Sequence, residues 1–133
     1  MARLWSGKHT KHRLQFHVVL IPKYRKRVLR GKVAIRLKEL MFDGCRMNRW
    51  WIGKLHIGDD HMHMLIQVQP KDSIAEVVRI LKGATSRIIR REFPEHEEFL
   101  WGDSFWSDGY FAETVGKVDE AVVRKYIEEQ KKP

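Results

Sequence analysis

The chain has 133 residues, of which 43% are hydrophobic and 11% aromatic, and its formal net charge is +9 at pH 7. This composition is typical of a folded globular protein and excludes a disordered basic tail. The length favours a single domain over residues 1–133. No apolar run approaches the roughly 18 residues that span a bilayer, and the N-terminus lacks the apolar core of a secretory signal. Cys45, the single cysteine, excludes an internal disulfide and is typical of a protein in the reducing cytoplasm, where we expect this chain to act.

The positive charge is concentrated near the start of the chain. Twelve lysines and arginines precede Glu39, the first acidic residue, whereas the 14 basic residues that follow are outweighed by 17 acidic ones. Basic soluble domains usually bind nucleic acid or an anionic membrane surface. The charge pattern by itself therefore predicts a polyanionic partner.

The hydrophobic pattern predicts seven elements. In chain order they are a strand (14–21), a helix (31–47), two strands (50–57 and 61–68), a helix (74–91), a strand (110–115) and a helix (119–130). Ser73 and Glu76 have the spacing of a capping box at the start of the second helix. The first six elements match the β-α-β-β-α-β unit, so we predict an α+β, ferredoxin-like antiparallel sheet with an added C-terminal helix. In such a fold two helices cover one face of the sheet, and the other face is open for a ligand.

Two histidines share one face of the strand predicted over 61–68. Because side chains alternate along a strand, His61 and His63 point to one face while Met62 and Met64 point under the helices. Two neutral imidazoles about 7 Å apart along the backbone can converge on one cation. Surface histidines beside a turn are the commoner interpretation of this pattern alone. Asp60 could orient one of the two imidazoles, and His56 is a rival ligand.

The last predicted helix offers a third ligand. Tyr126 and Gln130 are four residues apart and therefore neighbours on one helix face. A glutamine carbonyl can bind a hard divalent ion, and a tyrosine beside that ion can act as a nucleophile. The ordinary alternatives are a tyrosine in the core or an interface and a solvated glutamine.

The sequence resembles the single-tyrosine HUH transposases, the small enzymes of the insertion-sequence two-hundred-like group that move as single-stranded DNA. The resemblance covers nearly the whole chain. It rests on Lys23-Tyr24-Arg25, Asp60-His61-Met62-His63, Lys82-Gly83, Phe105-Trp106-Ser107, Gly109-Tyr110-Phe111, Thr114-Val115-Gly116, Tyr126-Ile127 and Gln130. Met62 and Met64 replace the valine and leucine usual in the family, which preserves apolar character. The compact length favours the insertion-sequence type over the longer relatives associated with repeated palindromic elements.

The resemblance implies a DNA strand-transfer enzyme. His61, His63 and Gln130 would hold Mg²⁺ or Mn²⁺, and Tyr126 would attack single-stranded DNA to give a 5′-phosphotyrosyl intermediate and a free 3′-hydroxyl. The substrate would carry hairpins near the ends of the element, and the resemblance implies neither a membrane partner nor a small-molecule cofactor. Because histidines bind metal only when neutral, activity should fall as the pH drops through about 6.5.

The resemblance also implies a homodimer in which the helix over about 119–130 can be exchanged between subunits, with Gly116 as a hinge. Whether Tyr126 acts in cis or in trans stays open. A different class of function also remains, a non-catalytic ferredoxin-like module that binds single-stranded nucleic acid. A third possibility is a metal-dependent phosphodiesterase that uses water.

Basic side chains around the first strand and on the second helix are predicted to contact DNA phosphates, which give affinity without sequence information. The predicted residues are Lys8, Lys11, Arg13, Lys23, Arg25, Lys26, Arg27, Arg30 and Lys82. Histidines 9, 12 and 17 lie in the same basic region, where phosphate contact or solvation is expected. Trp101, Phe105 and Trp106 could stack on unpaired bases, although such clusters are more often core.

Overall fold

The computed structural model describes residues 5–6, 11–12, 14–97, 104–116 and 120–130. Two short strands, β1 (Trp5–Ser6) and β2 (Lys11–His12), pair with each other. The remaining elements are β3 (Leu14–Leu20), α1 (Gly31–Met47), β4 (Trp51–Gly58), β5 (His61–Val68), α2 (Ile74–Glu92), β6 (Phe111–Val115) and α3 (Glu120–Glu129). The seven predicted elements are confirmed with ends that shift by one residue at most. The β1–β2 ribbon is an addition that the hydrophobic pattern does not predict.

The main sheet has the strand order β4-β5-β3-β6, and every neighbouring pair is antiparallel. This order places the first and third strands of the unit, β3 and β5, in the centre. The predicted α+β, ferredoxin-like sheet is therefore confirmed. None of the helices in the described ranges is long and apolar enough to cross a membrane.

The main core lies between the sheet and the pair α1 and α2. The apolar side of β5 is fully buried there, as predicted; it consists of Met62, Met64, Ile66 and Val68. Full burial of one such side chain stabilises the fold by about 1.5–3 kcal/mol. Phe105 and Trp106 are also buried, and the Trp106 indole donates to Thr85 Oγ1 at 2.9 Å. These two rings therefore belong to the core and are not available to stack on bases, while Trp101 lies outside the described residues.

The start of α2 is capped on one side only. Ser73 Oγ accepts a hydrogen bond from the Glu76 backbone N–H at 3.1 Å. The Glu76 carboxylate binds the guanidinium of Arg79, one turn further along the helix. The structure thus shows the serine half of the predicted capping box, and the glutamate is used for an ion pair along the helix.

The opposite face of the sheet is partly covered by α3. Ile127 is fully buried against Leu65 and Val115. The Arg124 guanidinium donates to the Gly53 carbonyl at 2.9 Å, at an irregularity in the pairing of β4 with β5. Lys54 of β4 forms an ion pair with Glu128 of α3 at 2.6 Å. The expectation of an open sheet face is therefore wrong for this part of the sheet, because α3 packs its apolar side there.

Candidate active site

His61 and His63 lie side by side on β5, on the sheet face that α1 and α2 do not cover. Their ring centroids are 5.1 Å apart, and the rings are nearly perpendicular. Gly58 lies directly opposite His61 in the β4–β5 pairing. A Cβ atom at Gly58 would lie 2.6 Å from His61 Cε1, so only glycine leaves room for the imidazole in this position. The imidazole of His61 therefore packs directly against the backbone of Gly58 in the β4–β5 hairpin.

Asp60 orients His61. Asp60 Oδ1 lies 2.8 Å from His61 Nδ1, and Arg25 Nε donates to Asp60 Oδ2 at 2.9 Å. The hydrogen bond from His61, and next that from Arg25, lowers the pKa of Asp60, so the carboxylate is ionised and can only accept. His61 Nδ1 must then carry the proton. Its Nε2 atom is buried and has no hydrogen-bond partner among the described residues, so its lone pair is unsatisfied.

His63 is held in its neutral form. Burial, and then the positive charge that His17, His61 and His56 can carry, lowers the pKa of His63 to about 4. This value lies well below the 6.5 expected from the sequence, because the ring is only 7% exposed. A neutral imidazole is the state that ligates a metal, so His63 is ready to bind across the physiological pH range.

His17 joins the cluster, whereas the sequence predicts phosphate contact or solvation for it. It lies on the central strand β3, and it is 6% exposed. His17 Nε2 is 3.1 Å from His63 Nδ1, and His17 Nδ1 is 3.5 Å from Glu113 Oε1 of β6. Alternation along β3 could have assigned His17 to a face. Only the pairing of β3 with β5 shows that this face is the one that carries His63.

Tyr126 reaches the histidines from α3. Its ring centroid lies 5.6 Å from that of His63 and 6.0 Å from that of His17. His17, His63 and Tyr126 line one open cavity of about 570 Å³, together with Phe111 and Glu113 of β6. We call it the histidine cavity. The tyrosine is 47% exposed, so a substrate can reach its hydroxyl. The structure thus brings Tyr126 beside His63, which lies more than sixty residues earlier in the chain, and beside His17 of β3.

Gln130 lies in the turn that follows α3, where it is exposed. Its backbone N–H donates to the Ile127 carbonyl at 3.2 Å. It is one helical turn beyond Tyr126 and does not line the histidine cavity. Its role as a ligand stays a prediction.

The comparisons with known proteins agree on one family. Residues 10–130 match the family described as "Transposase IS200 like". The chain is 34% identical over 125 residues to the ISDra2 transposase TnpA of Deinococcus radiodurans, covering 94% of this chain and 89% of that protein. The chain belongs to the IS200-like transposase family. It is also 30% identical over 122 residues to the transposase of insertion sequence element IS200 from Salmonella typhimurium, covering 92% of this chain and 80% of that protein.

Solved structures support the same relationship. The crystal structure of a proposed transposase from Deinococcus radiodurans superposes with a TM-score of 0.79 at 31% identity and covers 96% of this chain and 98% of its own. A REP-associated tyrosine transposase bound to a REP hairpin superposes with a TM-score of 0.62 and covers 96% of this chain and 70% of its own. At 15% identity the second likeness shows the shared fold alone.

The donors in this transposase fit a divalent metal ion. His61 Nε2 is a buried acceptor without a partner in the described ranges, and Asp60 fixes its proton on the other nitrogen. No group of three or more His, Cys, Asp or Glu side chains within the described ranges could hold a metal. A third ligand from another residue type or from the substrate would complete such a site, and the carbonyl of Gln130 is chemically suitable.

The basic residues of the transposase have different surroundings. Lys26, Arg27 and Arg30 are exposed, and with Lys32 they line a groove of about 510 Å³. Lys82 instead donates to the backbone carbonyls of three consecutive residues in the loop before β6, and burial lowers its pKa; the carbonyls are those of Ser107, Asp108 and Gly109.

Of the other predicted DNA contacts, two residues form ion pairs, two lie outside the described residues, and one has only its backbone described. Lys23 faces Asp108 at 3.4 Å, and Arg25 binds Asp60. Lys8 and Arg13 lie outside the described residues, and of Lys11 only the backbone is described. Of the predicted set, the exposed cations after β3 therefore form the clearest positive surface in the described part of the chain.

Proposed function

We propose that this transposase cleaves and rejoins single-stranded DNA at the ends of its insertion sequence through a covalent bond to Tyr126. The observation that carries the proposal is the placement of the Tyr126 ring 5.6 Å from the ring of His63, whose own ring lies 5.1 Å from that of His61. A tyrosine on a core stripe would be buried, whereas Tyr126 is half-exposed in an open cavity.

The proposed chemistry is a transesterification. The Tyr126 hydroxyl oxygen attacks the phosphorus of one phosphodiester, the bond from phosphorus to the 3′-oxygen breaks, and the 3′-oxygen leaves as a hydroxyl. The phenol gives up one proton and the leaving oxygen takes up one, so the step is balanced. The products are a 5′-phosphotyrosine and a free 3′-hydroxyl. Because the phosphodiester energy is kept in the tyrosyl ester, attack by a second 3′-hydroxyl can join a new strand without ATP.

The proposed site includes Mg²⁺ or Mn²⁺, held by His61, His63 and Gln130. A phenol with a pKa of about 10 is a weak nucleophile at neutral pH. A bound divalent ion would polarise the scissile phosphate and neutralise charge that develops on its oxygens. The protein contributes the fixed tautomer of His61, the neutral state of His63 and the approach of Tyr126 from α3.

The proposed partner is single-stranded DNA with hairpins near the element ends. A likeness in fold to a transposase bound to a REP hairpin supports this partner. The groove of Lys26, Arg27 and Arg30 supplies positive charge suited to a phosphate backbone. We further propose a homodimer. The α3 helix packs on the sheet of its own chain, and an exchanged helix would make the same contacts across the dimer.

The test is a search for a covalent protein–DNA adduct. Single-stranded oligonucleotides that cover the flanks of the gene encoding this chain are labelled at either the 3′ or the 5′ end and incubated with the protein and Mn²⁺. After denaturing electrophoresis, the 3′ label should migrate with the protein, because the tyrosine is joined to the 5′ end of the downstream fragment. The 5′ label should appear in a shorter free strand. Chelation of the metal should abolish both products.

Other outcomes would favour the other functions. Binding of these strands without any cleavage would indicate a non-catalytic nucleic-acid-binding module. Cleavage with many turnovers and no label on the protein would indicate hydrolysis by water. Cleavage that survives exhaustive chelation would contradict the metal.

Reversal of charge in the basic groove should weaken DNA binding without disabling Tyr126. We expect Lys26→Glu combined with Arg27→Glu to bind DNA more weakly, with a salt dependence that is shallower by about 0.7–0.9 in log–log slope for each phosphate that the protein no longer neutralises. At saturating DNA the yield of adduct should recover. Lys38→Glu combined with Lys71→Glu reverses two exposed lysines that do not line the groove, and it is the matched control because it changes the net charge by the same amount. An equal loss of affinity in this control would mean that net charge alone is responsible.

A further inference from the structure

We infer that His17, itself oriented by Glu113, holds the proton of His63 on Nδ1 and so presents the Nε2 lone pair of His63 to the metal. This inference rests on the proposed function, in which His63 is a metal ligand. It makes His17 a positioning residue of the active site.

The contact between the two histidines is buried and short. His17 Nε2 lies 3.1 Å from His63 Nδ1, and the two rings are within 16° of parallel. A neutral imidazole has one N–H donor and one acceptor nitrogen. One proton therefore lies between the two rings, and it belongs either to His63 or to His17. The two arrangements differ in function. If His63 carries the shared proton on Nδ1, the lone pair of its Nε2 atom is available to a metal. If His17 carries the shared proton, the proton of neutral His63 lies on Nε2, and this lone pair is not available.

Glu113 decides between the two arrangements. Its Oε1 atom lies 3.5 Å from His17 Nδ1, and an ionised carboxylate can only accept a hydrogen bond. The negative charge favours a proton on His17 Nδ1, which leaves His17 Nε2 as an acceptor. The proton of the buried contact then comes from His63 Nδ1. Although 3.5 Å is long for a hydrogen bond, the Coulomb attraction acts in the same direction.

The result matches the arrangement at the other proposed ligand. Asp60 fixes the proton of His61 directly on Nδ1, at 2.8 Å. Glu113 does the same for His63 through His17. Partners of this kind typically change metal affinity by about 10–100-fold when they are removed. Each imidazole thus has one carboxylate that sets which nitrogen is free.

The first test measures the tautomer in the metal-free protein. In protein labelled with ¹⁵N-histidine, the nitrogen shifts of His63 distinguish the protonated from the bare nitrogen, and the signals are assigned by comparison with His63→Gln. We expect the proton on Nδ1. A proton on Nε2 of His63 would overturn the inference. Because no metal or DNA is present, this result does not depend on the proposed function.

The second test measures Mn²⁺ affinity by titration calorimetry. His17→Phe fills a similar volume without an acceptor and should weaken binding by about 10–100-fold. His17→Gln places a carbonyl oxygen near the position of Nε2 and should restore affinity close to that of the wild type, a rescue that a purely structural role does not predict. His56→Phe changes a histidine on the other side of His63, in β4, and is the matched control.

The outcomes separate the inference from the proposed function. Wild-type affinity in His17→Phe, combined with loss of binding in His61→Ala, would overturn the role of His17 and leave the metal site intact. If His17→Phe does not fold, as judged by circular dichroism, Glu113→Ala replaces it, since this side chain is mostly exposed. The His63 tautomer should then lose its preference for Nδ1, and an unchanged preference would contradict the relay.

Discussion

Replacement of Tyr126 by phenylalanine should abolish the covalent protein–DNA adduct and leave DNA binding intact. The variant removes one oxygen atom, the proposed nucleophile, and retains the ring that packs beside His63 and His17. Among the described residues that line the cavity Tyr126 is the only tyrosine, so the loss should be complete. The measurement is the amount of 3′-labelled DNA that migrates with the protein, together with fluorescence anisotropy for affinity.

The chain offers two matched controls for this experiment. It contains three tyrosines, and the other two, Tyr24 and Tyr110, are also exposed. Tyr24→Phe and Tyr110→Phe should form the adduct at the wild-type level, since neither ring lines the histidine cavity. An adduct that persists in Tyr126→Phe and disappears in one of the other variants would refute the assignment of the nucleophile.

Replacement of His61 by alanine should remove metal-dependent cleavage. The change deletes the buried Nε2 acceptor that has no other partner in the described part of the chain. Loss of the hydrogen-bond partner of a ligand typically reduces metal affinity by about 10–100-fold. Loss of the ligand itself should reduce Mn²⁺ affinity by more than this. His63→Ala should have the same effect on cleavage. Calorimetry with Mn²⁺ and the adduct assay over a metal titration give the two readouts.

His56→Ala tests the specificity of that result. His56 lies opposite His63 in the β4–β5 pairing, and its ring centroid is 6.2 Å from that of His61. It is the rival ligand that the sequence leaves open, and we expect the variant to cleave DNA like the wild type. Thermal unfolding of all three variants separates loss of metal from loss of the fold. Full cleavage in His61→Ala with none in His56→Ala would show that the ligands had been assigned to the wrong strand.

Alternation along one strand is enough to predict which face of the sheet carries half of the candidate active site. Side chains in β5 alternate with a period of two, so the buried face of Met62 and Met64 places His61 and His63 together on the other face. The hairpin turn between β4 and β5 and the cap at Ser73 also follow from local sequence. The strands and the helix that begin or end there lie where the sequence predicts them. The spacing of Tyr126 and Gln130 on one helix face makes them candidates, and the family resemblance links them to the histidines, which no local pattern could have done.

The contribution of His17 could not be predicted in this way. Its place depends on which strand pairs with β5 and in what register, and a shift of one residue would turn His17 to the opposite face. The register pairs His17 with Leu65 and Val19 with His63, which makes His17 and His63 diagonal neighbours. Long-range pairing of this kind leaves no signal in the spacing of residues along the chain.

The sequence by itself determined the order of the elements, the face on which the paired histidines lie and the basic character of the first third of the chain, because these follow from local periodicity and composition. Only the tertiary structure decided that Tyr126 lies beside His63. Gly53 lets the Arg124 guanidinium reach a β4 carbonyl, since a Cβ there would lie 2.7 Å from Arg124 Nη2. Burial of Ile127 then holds α3 on the sheet and Tyr126 over the cavity. The contacts of Arg124 with Gly53 and of Ile127 with Leu65 join residues more than sixty positions apart, and their energies depend on packing that a linear pattern does not contain.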